Sequence, residues 1–362
     1  MKDTPSSADR GEEPGTVALK PLRGMRVVEF HAKGPVPLCT MMLADMGAEV
    51  VQVEREVAGK RGDPRWRYTD RAKSALSLNL KQDADRARAQ DLIASADVLV
   101  EGFRPGAMER LGLGPADCMA VNPRLVYARI TGWGQDGPRS QLAGHDINYL
   151  AATGALDAIG TADSGPVPPL NLLADFAGGS LQAAYGICAA LLERERSGRG
   201  CVIDISMAEG VLSLMTSLFA IRARGDWQGG RGGNFLDGGA PWYGVYETRD
   251  GRHIAVGAME PVFREAFFTT IGLPAEFARD SEDPASWPRI REEVAAIVRT
   301  RSRDEWTREF AGVDACVTPV STMDEALSDA AFLARSAFVE ETGHDGHLRP
   351  APGLRLRAFT AV

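Results

Sequence analysis

An α/β fold built on a parallel sheet is what this sequence predicts, and three observations predict it. Strand-like apolar runs alternate with helical patterns through the first two hundred residues. The first such unit, "MRVVEF", "LCTMMLADMG", "AEVVQVER", has the strand–helix–strand order that joins parallel neighbours. Beyond residue 225 the pattern changes to a glycine-rich stretch, a hairpin and then mainly helices, so two domains are expected in the 362 residues.

Taken in order, residues 1–20, "MKDTPSSADRGEEPGTVALK", are polar and lack the apolar middle of a signal peptide, and they read as a disordered leader. A strand at 25–30 follows, then a loop with Gly34, Pro35 and Pro37. Leu38, Met41, Met42 and Met46 recur at helical spacing before Gly47, a left-handed stop. Residues 48–55, 75–80, 97–103, 124–134 and 198–207 read as further strands, with a helix at 83–95. An apolar helix is expected near 208–224. The stretch 225–244 holds too many glycines for a regular element and reads as a mobile connector or lid. Residues 244–260 form a hairpin turning at Asp250-Gly251. Residues 262–335 look helical apart from a short strand at 316–322, and the proline-interrupted tail 348–359 is expected to pack back on the first domain.

Composition excludes several functions. A net charge of −8 argues against a nucleic-acid binder, which needs a basic face for phosphates. No run approaches the roughly 18 apolar residues of a membrane span. Five scattered cysteines without a C-x-x-C pair suggest neither zinc nor a disulfide framework and fit a reducing cytoplasm. The first β–α turn, "HAKGPVP", is not the G-x-G-x-x-G of a dinucleotide site, and the glycine-rich stretch lacks the Lys-Ser/Thr of a P-loop.

Two helix starts carry chemistry. In "LAGHDINYLAATGAL", Ile147, Leu150, Ala151 and Gly154 share a face, which puts His145 and Asp146 in a first turn, where unpaired N–H groups favour developing negative charge. Asp175 precedes Gly178, Gly179 and Ser180, and a helix runs on through Ala184, Ile187, Cys188 and Leu191 to Gly198. The two starts can present His145 and Asp175 to one cleft. Glu260 ends the strand "HIAVGAME" before Pro261. Taken singly, Asp175 is equally an N-cap, His145 a capping residue and Glu260 a strand end.

Seven segments, "RVVEF", "EGFRPGAMERLGLGP", "YARITGWGQDGPRSQLAGHDINYLAATGAL", "PVPPLNLLADFAGGS", "LDGGAPWY", "AVGAMEP" and "DACVTPV", together resemble the family III CoA-transferases, and within that superfamily the α-methylacyl-CoA racemases. The resemblance spans about residues 20–356. It implies the family III CoA-transferase fold: a large Rossmann-like domain, 21–227 with 326–362, a smaller α+β domain, 228–325, and an interlocked homodimer. It implies that His145 and Asp175 exchange the α-proton of an acyl-CoA thioester while Glu260 orients His145. Coenzyme A contacts are implied for Arg55, for Leu78, Asn79, Leu80 and Lys81, for Gly102, Phe103 and Arg104, for Arg110, and for Gly144, Asp146, Ile147, Asn148 and Tyr149. Cations at Arg55, Lys81, Arg104 and Arg110 suit the phosphates that an acidic protein must hold locally.

The acyl-CoA is itself the substrate, so no separate cofactor or metal is expected. Two other readings stay open: a transferase using Asp175 as nucleophile to move CoA between carboxylic acids, and a non-enzymatic CoA binder. A transferase has no need of His145 and Glu260. The loop after the first strand departs from the racemases, with His31 and Lys33 at small or apolar positions. Bordering the acyl tail, Lys33 favours a distal carboxylate; pointing into solvent, it does nothing.

Overall fold

The computed structural model describes residues 16–30, 32–55, 68–227, 229–340 and 348–359. Six strands form its main sheet: β1 (Arg26–Phe30), β2 (Glu49–Arg55), β3 (Lys73–Leu78), β4 (Val98–Glu101), β5 (Val126–Thr131) and β6 (Val202–Ser206). Every pairing is parallel and the order is β3-β2-β1-β4-β5-β6. The chain winds outward from β1 to β3, then restarts at β4 on the other side of β1. Loops leaving the carboxyl ends of β1 and β4 therefore diverge, and such a switch point opens a crevice.

Alternation along the strands divides the sheet's two faces. Val28, Phe30, Leu99 and Tyr127 pack with Ala89 and Ile93 of α2 (Asp83–Ala94) and with Met108, Leu113 and Cys118. On the other face Glu29 meets Thr40 of α1 (Pro35–Asp45). The stripe that α1 buries is Val36, Cys39, Thr40, Leu43 and Ala44; of the expected Leu38, Met41, Met42 and Met46, only Met41 is buried, and the helix begins three residues earlier, at Pro35. Pro35 presets its first turn. Pro35 and Pro37 also remove two of the donors that a helix start offers an anion, which removes the pyrophosphate cradle in physical terms.

By its internal contacts the chain divides into two compact units. The first comprises 1–153, 169–215 and 334–362; the second comprises 154–168 and 216–333. Residues 154–168 thus join the second unit, whereas the sequence reading kept them with the large domain. Residues 16–18, assigned from sequence to a disordered leader, form a strand paired with Arg357–Phe359, and the tail returns to the first unit. The expected helix at 208–224 breaks at Met215 into Met207–Leu214 and Thr216–Ala223. His31 lies outside the described residues, and Lys33 is exposed.

The second unit has an antiparallel sheet of β7 (Tyr243–Glu247), β8 (His253–Gly257) and β9 (Val317–Pro319). Gly251, at φ 72°, turns the hairpin as its Asp-Gly sequence suggests. Its core gathers Trp242, Phe267, Trp287, Ile290, Val294 and Trp306. The glycine-rich stretch is no loose connector. Buried Asn234 donates to the Gly229 and Gly230 carbonyls and to Asp237, which in turn accepts the N–H groups of Gly232, Asn234 and Gly239. Glycine there supplies close backbone approach: a Cβ on Gly239 would meet the Asn234 nitrogen at 2.5 Å. No helix among the described residues is long and apolar enough to cross a membrane.

Candidate active site

His145, Asp146 and Asp175 gather in the first unit. Helix α3 spans Asp146–Thr153 and buries Asp146, Tyr149, Leu150 and Thr153, an i, i+3, i+4, i+7 stripe. That stripe is rotated from the Ile147/Ala151 face read from sequence, and Ile147 is exposed. The rotation turns Asp146 inward and leaves His145 exposed. His145 stands just before the helix; its carbonyl accepts the first helical N–H groups, from Asn148 and Tyr149, and its own N–H donates to the Asn148 side chain at 3.0 Å. Tyr149 fastens the preceding loop by donating its hydroxyl to the Gly144 carbonyl at 2.7 Å while its ring meets Trp133 edge-on. A Cβ on Gly144 would clash with that ring at 2.7 Å, so Tyr149 requires glycine there.

Asp175 does not precede a helix, as the sequence suggested, but lies inside one. Leu172–Leu181 is a π-helical segment that runs directly into α4 (Gln182–Ser197), ended by Gly198 at φ 73°. Wide turns of this kind recur at functional sites. The segment is held by close packing: Cβ atoms on Gly178 or Gly179 would come within 3 Å of Met207, in α5 (Met207–Leu214). The Ser180 hydroxyl donates to the Pro35 carbonyl at 2.8 Å.

Asp146 joins the two elements. Its Oδ2 accepts the N–H groups of Ala174 and Asp175, each at 2.8 Å. Half-buried, the Asp175 carboxyl is pushed up to about 6, first by burial and then by the Asp146 charge; His145 and a hydrogen bond with Asn171 pull it back. Its proton affinity thereby reaches the ordinary imidazole range, about 6.5. A carboxyl with that affinity can hold or release a proton near neutrality, as acid–base work beside an imidazole requires. Asn171, the Asp146 carboxylate and Gly34, whose backbone faces the Asp175 carboxylate, are parts of this corner that sequence reasoning missed. Only the buried stripe of α3 carried a signal for any of them.

Glu260 belongs to the second unit. Strand β8 stops at Gly257, so Glu260 is not a strand end but the N-cap of α6 (Pro261–Ile271), exposed and making no side-chain capping bond.

The remaining candidates follow the carboxyl ends of the strands. Arg55 ends β2; Leu78 ends β3, with Asn79, Leu80 and Lys81 after it. Gly102, Phe103 and Arg104 follow β4, and Arg110 ends the short helix Ala107–Arg110. Arg55, Lys81, Arg104 and Arg110 are all exposed. The Phe103 loop is anchored from below, since buried Glu101 accepts the Phe103 N–H at 2.7 Å and is paired with Arg129 at 2.8 Å. Gly102 is confined as well, since a Cβ there would lie 2.8 Å from a Val36 methyl. Among the described residues no group of three His, Cys, Asp or Glu could hold a metal ion.

The sheet order makes this a doubly wound parallel α/β protein with its candidate residues after the carboxyl ends of the strands. The chain belongs to the CoA-transferase family III, whose pattern matches residues 22–360. Alpha-methylacyl-CoA racemases from Mus musculus and Homo sapiens are 46% and 44% identical to it, each over 92% of this chain and 86% of the relative. A CAIB/BAIF family protein from Brucella suis shares the fold at a TM-score of 0.76 and 24% identity, over 90% of each chain.

Proposed function

We propose that this chain is a racemase that inverts the α-carbon of 2-methylacyl-CoA thioesters. The observation that carries the proposal is the Asp146 tie, which joins the backbone of Ala174 and Asp175 to the helix start behind exposed His145, with burial raising the Asp175 carboxyl to about 6. Kinship to racemases at 44–46% identity supports it. One of the two groups takes the α-proton; the C–H electron pair moves into an enolate; the other group returns a proton to the opposite face. The Asp146 N–H, in a first helical turn with no intrahelical partner, donates to the oxygen where charge develops. Roles exchange with direction, so each turnover leaves the pair with the same single proton.

Arg55, Lys81, Arg104 and Arg110 take the phosphates of coenzyme A, and the anchored Phe103 loop lines the same crevice mouth. Glu260 has a carboxylate that is not spent on its own helix, and the role for it is the one the family resemblance implies. No cofactor beyond the substrate's own coenzyme A enters the reaction. A homodimer is supported by the exposed run Leu181, Tyr185, Cys188 and Leu192, an apolar stripe at helical spacing that a second copy would cover. Cytoplasmic residence is supported by five cysteines, none of them in a disulfide.

The test is incubation with a single-enantiomer 2-methylacyl-CoA in D₂O, with and without a free carboxylic acid. Deuterium entry at the α-carbon with loss of optical purity, independent of the acid, is expected. Acid-dependent exchange of coenzyme A without α-deuteration would overturn the proposal and make Asp175 a nucleophile.

A further inference from the structure

Asp146 is almost fully buried, at 4% exposure, yet only one of its carboxylate oxygens is used. Oδ2 accepts two backbone N–H groups from an element 28 and 29 residues away, whereas Oδ1 is buried with no hydrogen-bond partner. An orphaned carboxylate oxygen costs stability, and a shorter or neutral side chain would avoid the cost. The two N–H groups it accepts belong to the first turn of the π-helical segment, where donors lack partners of their own. Asp146 therefore caps a helix other than the one it starts, and that helix carries Asp175.

We propose that the Asp146 carboxylate is a positioning residue for proton transfer, tying the backbone of Asp175 to the helix start that carries His145 so that both groups face one α-carbon. The inference rests on the racemase reading for the identity of the reaction. Its structural content is independent of it. A linkage of one side chain and two hydrogen bonds fixes the separation of the acid and the base more tightly than two separate loops could, and proton transfer loses rate steeply with small misplacements. The same carboxylate acts electrostatically. The charges that shift Asp175 are Asp146, which raises its proton affinity, and His145, which lowers it. Tyr149, also on α3, feels both aspartates. Removing the Asp146 charge therefore lowers the proton affinity of Asp175.

The experiment compares wild type, Asp146→Asn and Asp146→Ala by α-deuterium exchange across pH, and by hydrogen exchange of the Ala174 and Asp175 amides. Asp146→Ala is expected to lose about 100-fold in kcat, with KM changed less than threefold. Asp146→Asn keeps one acceptor oxygen and guards against failure to fold; it is expected to lose less and to move the acid limb of kcat/KM, where the pair takes up a second proton, to lower pH. Amide protection at 174 and 175 should fall in Asp146→Ala. Wild-type kcat, an unmoved acid limb and full amide protection in both variants would overturn the proposal. Absence of α-deuteration in wild type would instead sink the racemase reading, while loss of protection at 174 and 175 would still establish the tie and its retention would refute it.

Discussion

Two pairs of carboxylates withdrawn from solvent, Glu29 and Glu101 fully buried and Asp146 with half-buried Asp175, stand in the first unit under opposite conditions. Glu29 accepts from Thr40 at 2.6 Å, from Gln52 at 2.8 Å and from Lys73 at 2.8 Å, and Glu101 is met by the Phe103 N–H and Arg129. Arg129 is in turn shared with Glu109 at 2.7 Å. Burial leaves the Glu101 carboxyl above its ordinary range, and the bonds from Phe103 and Arg129 offset only part of that rise. Among the described residues Asp146 and Asp175 have no hydrogen bond to an Arg or Lys, and each is a like charge to the other. A cationic partner makes a buried carboxylate structural, because removing either member strands the other charge away from water. Incomplete pairing leaves a carboxyl able to change state near neutrality, which proton transfer requires.

The widest separation of the two pairs should come from His145→Ala. Loss of one of two proton carriers is expected to lower α-deuterium exchange by about 10⁴-fold, roughly 5 kcal/mol of transition-state stabilisation, with the urea midpoint unchanged. An enzyme that exchanges undiminished without His145 would place the chemistry elsewhere and erase the contrast.

Arg129→Met tests the other pair. It strands Glu101 in the core, and removal of one partner from a buried ion pair costs about 3–5 kcal/mol. Urea unfolding at pH 7 should show that loss, while the acid limb of the pH–rate profile stays in place. A variant of unchanged stability whose acid limb moves would mean that Glu101 belongs to the proton-transfer machinery.

The contrast was only half legible in the sequence. β-Branched runs such as "RVVEF" and "EVVQVER" announce strands because side-chain shape and alternation act locally, and four of the six sheet strands lie within two residues of their expected bounds at both ends. His145 and Asp175 were visible as chemistry-bearing residues beside helix patterns. Asp146 was legible only as a backbone donor, since its carboxylate works across 28 residues of chain and no local pattern records such a bond. The π-helical segment was hidden for a related reason. Gly178 and Gly179 read as a helix start after Asp175, whereas they are sites of close approach to Met207 inside a helix already begun. The knot around Asn234 and Asp237 was likewise read as looseness, because glycine content looks the same in a mobile loop and in a tightly bonded one.

Gly210→Ala should sharpen the view that packing shapes the Asp175 corner. A Cβ there would collide with the Gly178 carbonyl, forcing α5 away from the π-helical segment. Overpacking of this kind costs about 1–3 kcal/mol. The melting temperature should fall, and α-deuterium exchange should fall further than the loss of folded protein explains. A variant that loses stability but keeps full kcat would show that Asp146 alone sets the geometry.

Asp175→Asn gives the smallest effect on stability and one of opposite sign. A carboxyl whose folded pKa, about 6, exceeds its ordinary 3.8 contributes nothing while both states are protonated, below about pH 4. As pH rises from 4 toward 6, the unfolded chain releases the proton more readily, so the folded state loses ground, and above 6 that loss is complete. Replacing the carboxyl with an amide removes the penalty. Asp175→Asn should therefore melt about 1–2 °C above wild type at pH 7.5 and level with it at pH 4, an increment of under 1 kcal/mol for a chain of this size. It should at the same time abolish α-deuterium exchange. Stability gained where activity is lost is what an incompletely paired carboxyl predicts; the corresponding change at fully paired Glu101, Glu101→Gln, should lower stability at pH 7.5 instead, because it weakens the bond to Arg129.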